Sequence, residues 1–143
     1  MSDRHVITVY GSPVAQSRAG RRHFILPGGR PCSSAYDPVK SKDWKRTVQS
    51  QVLDSLNGQA EIHEGPLSLQ LRFYLARPKS LPKRVMHHIK KPDADNLAKG
   101  VKDAMRGILY HDDSQIVELL IRKEYNAQPR VVIAMEILNT NGS

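Results

Sequence analysis

Cysteine is nearly absent. Cys32 stands alone, so no disulfide can form within the chain, and nothing in the cysteine content supports secretion. Large aromatics are also scarce. Two Phe and one Trp are too few for an exposed base-stacking platform, which weakens a reading as an RNA-binding protein. No apolar run approaches the roughly 18 residues that span a bilayer. The start of the chain, Met1 to His5, carries an acid and no apolar core, unlike a signal peptide. The expectation is a soluble, cytoplasmic protein with no membrane role. Residues 1–143 fit a single domain, long enough to bury an ordinary core without staples.

Acidic residues are few beside basic ones: 14 against 22, for a formal charge of +8 and a pI near 9.8. Such an excess attracts polyanions beyond contact range. It is concentrated in two acid-free segments. One holds Arg18, Arg21, Arg22 and Arg30; the other holds Arg77, Lys79, Lys83, Arg84, Lys90 and Lys91. Neither shows an amphipathic helical pattern, so nucleic acid is favoured over an anionic membrane surface. The expected DNA contacts are Arg18, Arg21, Arg22, Arg77, Lys79, Lys83, Arg84, Lys90 and Lys91.

Hydrophobic periodicity gives the elements. Residues 5–10 read as a strand ended by Gly11, Ser12 and Pro13, and residues 16–35 as a loop or irregular hairpin. Asp37 and Pro38 suit an N-cap and first helical position. Trp44, Val48, Val52 and Leu56 supply an apolar stripe, and Asn57-Gly58 a stop. Leu67, Leu69, Leu71, Phe73 and Leu75 alternate strictly, which predicts a strand. Pro78, Pro82 and Pro92 keep the basic segment out of regular structure. His87-His88 lack metal-spaced partners and read as solvated loop. A second helix is expected over 94–109, with Leu97, Val101, Ala104, Met105 and Ile108 as its stripe. Strands follow over 116–125 and 130–138, close enough to form an antiparallel hairpin. The tail, 139–143, is expected to be disordered. The fold class is therefore α+β: a mixed sheet packed against two main helices.

The chemistry concentrates in Lys90-Lys91-Pro92-Asp93-Ala94-Asp95-Asn96-Leu97-Ala98-Lys99. If Asp93 is still extended where the helix begins, its carboxylate and that of Asp95 can converge on one point. Clustered oxygen ligands suit a hard cation such as Mg2+ or Mn2+. Lys99 lies one turn beyond Asp95 on the same face and could reach a phosphate. Taken alone, the pair is better read structurally, with Asp93 or Asp95 as a helix cap and Asp95–Lys99 as a surface ion pair. The segment is no EF-hand, because Leu97 and Ala98 stand where that loop wants Asp or Asn and Gly. A further acidic pair, Asp112-Asp113, follows the helix and could approach the first pair only through tertiary packing.

The combination Asp93-x-Asp95-Asn96-Leu97-x-Lys99, a helix, then Asp112-Asp113-x-Gln115-Ile116 resembles the RusA family of Holliday junction resolvases, with the core match over residues 90–125. Gly11-x-Pro13 followed by basic residues looks like its phage-type members. The resemblance implies a RusA-like fold and a small homodimer that binds four-way DNA junctions and nicks two strands symmetrically in recombination and repair. Position by position, it makes Asp93, Asp95 and Asp113 the catalytic, metal-binding carboxylates and Lys99 the essential lysine, with Asp112 as the further ligand candidate. Exposed apolar residues of the first helix, or of the strand at 67–75, are expected to supply the dimer interface. The family's best-known members carry a denser arginine run where this chain has Lys90-Lys91-Pro92, which bears on cleavage preference. The competing readings are a metal nuclease for another branched or single-stranded DNA, and a non-catalytic DNA-binding module whose aspartates are caps and ion pairs.

Overall fold

A computed structural model describes residues 4–16, 24–25, 31–32 and 38–138. The elements run β1 (Arg4–Tyr10), β2 (Phe24–Ile25), β3 (Pro31–Cys32), α1 (Pro38–Ser55), β4 (Leu67–Ala76), α2 (Ala94–Met105), a 3-10 turn (Asp113–Gln115), β5 (Ile116–Asn126) and β6 (Arg130–Ile137). The short β2–β3 pair is antiparallel, as an irregular hairpin requires. The expected N-cap Asp37, the arginines at 18, 21, 22 and 30, and the tail at 139–143 lie outside the described residues.

The main sheet has the order β1-β6-β4-β5. β6 is antiparallel to both β1 and β4, while β4 and β5 run parallel. The mixed α+β architecture expected from the sequence is present; the β5–β6 hairpin is not, because β4 lies between its two arms. The reason is the distribution of apolar side chains. Leu67, Leu69, Leu71 and Phe73 are 0–1% exposed, so β4 takes the central position where both of its edges pair. β5 instead carries exposed Val117, Leu119 and Leu120 and occupies an edge. The turn at 127–129 spans the one inserted strand, a gap of about 10 Å at the usual inter-strand spacing.

Both helices lie on the face to which the odd-numbered residues of β4 point. Trp44, Val48 and Val52 of α1 and Leu97, Val101, Ala104 and Met105 of α2 meet Ile7, Val9, Val131, Ile133 and Met135 in one core. The apolar faces of β4 and α1 are thus consumed inside the chain. Among the large apolar side chains of these two elements, Val39 of α1 is left exposed.

α1 ends where expected. Asn57 and Gly58 both adopt left-handed backbone (φ 59° and 83°), and the Gly58 N–H closes onto the Leu53 carbonyl at 2.8 Å. α2 stops at Met105, short of the expected 109. Arg106 is already extended and Gly107 has φ 86°, so the chain turns back and Gly107 N–H donates to the Tyr110 carbonyl at 2.7 Å. Ile108, Leu109 and Tyr110 remain buried from this turn rather than from a helix.

His88 departs from the solvated-loop reading: it is buried against Tyr125, with ring centroids 4.8 Å apart. His87 is exposed, as expected, and its backbone forms an antiparallel bridge with Glu124 of β5.

Candidate active site

Asp93 is the N-cap position of α2, with φ −71° and ψ 147°, so the extended geometry expected of it is present. Its side chain makes no capping hydrogen bond. Instead both carboxylate oxygens accept from Lys91 Nζ at 3.1 Å. Asp95 is exposed in the first turn of α2. Lys99 turns the other way along the helix, toward Asp103, with Nζ 3.6 Å from Oδ2.

Asp103 was not singled out from sequence, yet it is the most enclosed carboxylate of this helix, its side chain 10% exposed. Its Oδ2 accepts from Gln16 Nε2, and Arg106 lies 3.9 Å from Oδ1. The Gln16 N–H also donates to the Asn96 carbonyl at 3.1 Å. These bonds pin Gln16, the last described residue before the arginines at 18, 21 and 22, along α2. The signal available in the sequence was spacing: Asp95, Lys99 and Asp103 follow at four-residue intervals, one stripe of a helix.

Asp112 and Asp113 have separate roles. Asp112 caps the 3-10 turn, its Oδ2 accepting from the Ser114 N–H at 3.1 Å, which holds its carboxyl below the ordinary range. Gln115 completes the cap, with Oε1 accepting from the N–H groups of His111 and Asp112. Its Nε2 donates to the carbonyls of His63 and Gly65, tying the turn to the segment before β4. Asp113 points inward, and its Oδ1 is buried with no hydrogen-bond partner. It lies beside the hydroxyl of Tyr110, which donates to the Lys102 carbonyl at 2.7 Å. Burial, then the charge of Asp113, pushes the Tyr110 phenol far above its ordinary value, so it stays protonated.

The aspartates do not close on one point. Asp113 neighbours the last turn of α2, while Asp95 is in the first; seven residues of helix separate Asp95 from Lys102, about 10 Å along the axis. Among the described residues, the group of three potential ligands whose donor atoms lie within 4.8 Å of one another is His5, Glu61 and His63, not the aspartates.

The basic segment leads into α2. Lys79, Lys83, Arg84, Lys90 and Lys91 are exposed. Arg77 is engaged within the chain: its Nη1 donates to the carbonyls of Pro82 and Val85 at 2.7 and 2.6 Å, and its guanidinium sits over the Tyr125 ring. Lys123 of β5, unnoticed in the sequence, donates from Nζ to the carbonyls of Lys90 and Pro92 at 2.7 and 2.8 Å. It fixes the backbone that presents Lys91 and Asp93.

The fold is thus a mixed sheet carrying two helices, with an Asp-x-Asp pair opening the second and exposed basic side chains in the segment that leads to it. The sequence pattern of endodeoxyribonuclease RusA matches residues 11–136, and the chain belongs to that family. It is therefore grouped with enzymes that hydrolyse DNA within the strand. It is also similar to the uncharacterized protein YqaN of Bacillus subtilis (strain 168), 38% identical over 136 residues, covering 88% of this chain and 91% of that protein.

Proposed function

We propose that this protein is a Mg2+-dependent, structure-specific endodeoxyribonuclease that resolves four-way DNA junctions by paired, symmetric nicks in recombination and repair. The observation that carries the reading is the state of two carboxylates. Asp93 stands at a helix N-cap yet does not cap, and Asp113 buries an oxygen that nothing satisfies. A buried polar atom without a partner costs about 1–3 kcal/mol, so such an atom asks for a ligand. The oxygen donor set of Asp93, Asp95 and Asp113 suits Mg2+, with Mn2+ as substitute. Their separation within one chain means that a shared cation needs movement or a second copy.

When bound, the cation supplies a lowered water pKa and a polarised phosphoryl oxygen. The chain's own residues do the rest. Lys99 places positive charge where the phosphate gains negative charge. Asp103 holds Lys99 along the helix, and the Tyr110 hydroxyl keeps its proton beside Asp113. Lys79, Lys83, Arg84, Lys90 and Lys91, with Arg18, Arg21 and Arg22, hold backbone phosphates, a task that needs charge rather than base reading. Asp112 acts through the cap it makes.

Two equivalent cutting positions on a four-way junction suit a twofold homodimer. The first half of the β5 edge is the surface we assign to it. Val117, Leu119 and Leu120 are 59%, 42% and 52% exposed there, and the strand starts three residues after Asp113. Near its other end, Glu124 and Tyr125 pair with the backbone of residues 86–87.

The test compares a synthetic four-way junction with a matched linear duplex, with and without Mg2+, for wild type and Asp95→Asn. Paired nicks on the junction alone, requiring Mg2+ and lost in the variant while binding persists, are expected. Tight junction binding with no cleavage in Mg2+ or Mn2+ would favour the binding-module reading, with the aspartates as structural groups. Cleavage of flaps or single strands instead would leave the chemistry and change the substrate.

A further inference from the structure

The geometry points to a second metal site, for a zinc-class cation, formed by His5, Glu61 and His63 and separate from the aspartates of α2. The three side chains come from two elements. His5 is on β1, opposite Met135 of β6. Glu61 and His63 alternate on the extended segment before β4, which projects both to the same side. That segment is held in place by its backbone: the N–H of Glu61 donates to the Ile108 carbonyl at 2.8 Å, and the N–H of His63 to the Leu109 carbonyl at 2.9 Å.

One ligand atom from each residue lies within 4.8 Å of the others. His5 Nε2 is 4.0 Å from Glu61 Oε2, and the two imidazole centroids are 5.3 Å apart with planes tilted by 48°. Tetrahedral zinc, with bonds of about 2.0–2.1 Å, sets its ligand atoms roughly 3.4 Å apart. The His5–Glu61 pair must close by about half an ångström. The Glu61 side chain, 55% exposed, is free to make that movement.

An independent observation concerns His63. Its Nε2 is buried and has no hydrogen-bond partner. A buried ring nitrogen left unsatisfied is costly, and the imidazole pair beside a carboxylate is a donor set that removes the cost. Two imidazoles and one carboxylate suit Zn2+ and its neighbours in the first transition row. They do not suit Mg2+, which takes oxygen donors and keeps its water. Three protein ligands leave the fourth position to water.

The placement gives the site a consequence. His63 also offers its carbonyl to Gln115 Nε2, and Gln115 caps the turn that carries Asp113. A cation here would clamp edge strand β1 to the segment that supports that turn.

The experiment uses untagged, full-length protein stripped with chelator and then titrated with ZnCl2, following metal content per chain, melting temperature and calorimetric binding. One zinc per chain and a raised melting temperature are expected for wild type. Stoichiometric binding should vanish in His5→Gln and weaken at least tenfold in Glu61→Gln, a surface change that leaves the core alone. The double variant Asp93→Asn/Asp113→Asn should keep it, which separates this site from the proposed nuclease centre. Co2+ in place of zinc should give the visible absorption of a low-coordinate site, lost in His5→Gln. No stoichiometric zinc in wild type, or equal zinc binding by wild type and His5→Gln with the circular dichroism unchanged, would overturn the proposal.

Discussion

His88 shows how one side chain can make the whole fold respond to pH. Its ring is buried on Tyr125. Burial first, and then the nearby charge of Lys123, lowers its pKa from 6.5. A histidine whose folded pKa lies below its unfolded value takes up protons more readily when unfolded. Its stability contribution is complete above pH 6.5 and is lost as the pH falls toward the folded value. Melting temperature measured from pH 7.5 to pH 5.5 should therefore drop, and His88→Phe, which keeps a ring against Tyr125, should flatten part of that drop. An unaltered slope would remove His88 from the explanation. The neighbouring site contrasts with this. Asp112 and Asp113 are adjacent in sequence, but one spends its carboxylate on a cap and the other buries an unsatisfied oxygen. Backbone conformation separates them: Asp112 is extended at φ −150° and Asp113 opens the 3-10 turn.

At the scale of elements, the end of α2 decides what Asp113 faces. Gly107 has φ 86°, and a β-carbon added there would meet nothing within 4 Å. The cost of Gly107→Ala is thus the left-handed backbone alone, about 1–2 kcal/mol. Denaturant unfolding should read that loss, and a much larger one would mean that the turn itself rearranges. This turn also marks where the sequence stopped being legible. The bounds of β1, α1, β4 and β6 follow from periodicity and turn residues, because each buries one face in a regular pattern; β5, mostly exposed, takes its bounds from the turns at its two ends. Ile108 belongs to the stripe of α2 by spacing, and only the backbone of Gly107 shows that it is buried from a turn. Strand pairing was illegible for a different reason. Proximity in sequence favours a β5–β6 hairpin, whereas the two-sided pairing demanded by β4 is a property of the assembled sheet. In the site, the motif from Asp93 to Lys99 and the pair at 112–113 could be read as residues. Asp103 was legible only as a spacing from Lys99, and the partners Gln16 and Lys123 were not legible at all, since their contacts arise from packing.

For the molecule as a whole, charge is the property that reaches outward. Lys83 and Arg84 are exposed in the loop that leads to α2, and neither has a carboxylate partner among the ion pairs of the described residues. If both contact phosphates, Lys83→Ala/Arg84→Ala should reduce the slope of log affinity for DNA against log salt by about 1.8 and weaken binding at every sequence alike. Filter binding or fluorescence anisotropy across a salt series measures this. An unchanged slope would place the DNA elsewhere, and the arginines at 18, 21 and 22 would be the next to remove.

The insertion of β4 between β5 and β6 also has a reading in time. A ribosome makes β1 first and β6 last, yet Arg4 lies opposite Glu136 and β6 is the strand that joins β1 to the rest of the sheet. Until β6 has been synthesised, β1 has no neighbour and the growing chain carries an unfinished sheet. A loop closure that spans nearly the whole described chain falls due in that last step, an arrangement that slows folding and leaves strand edges open meanwhile.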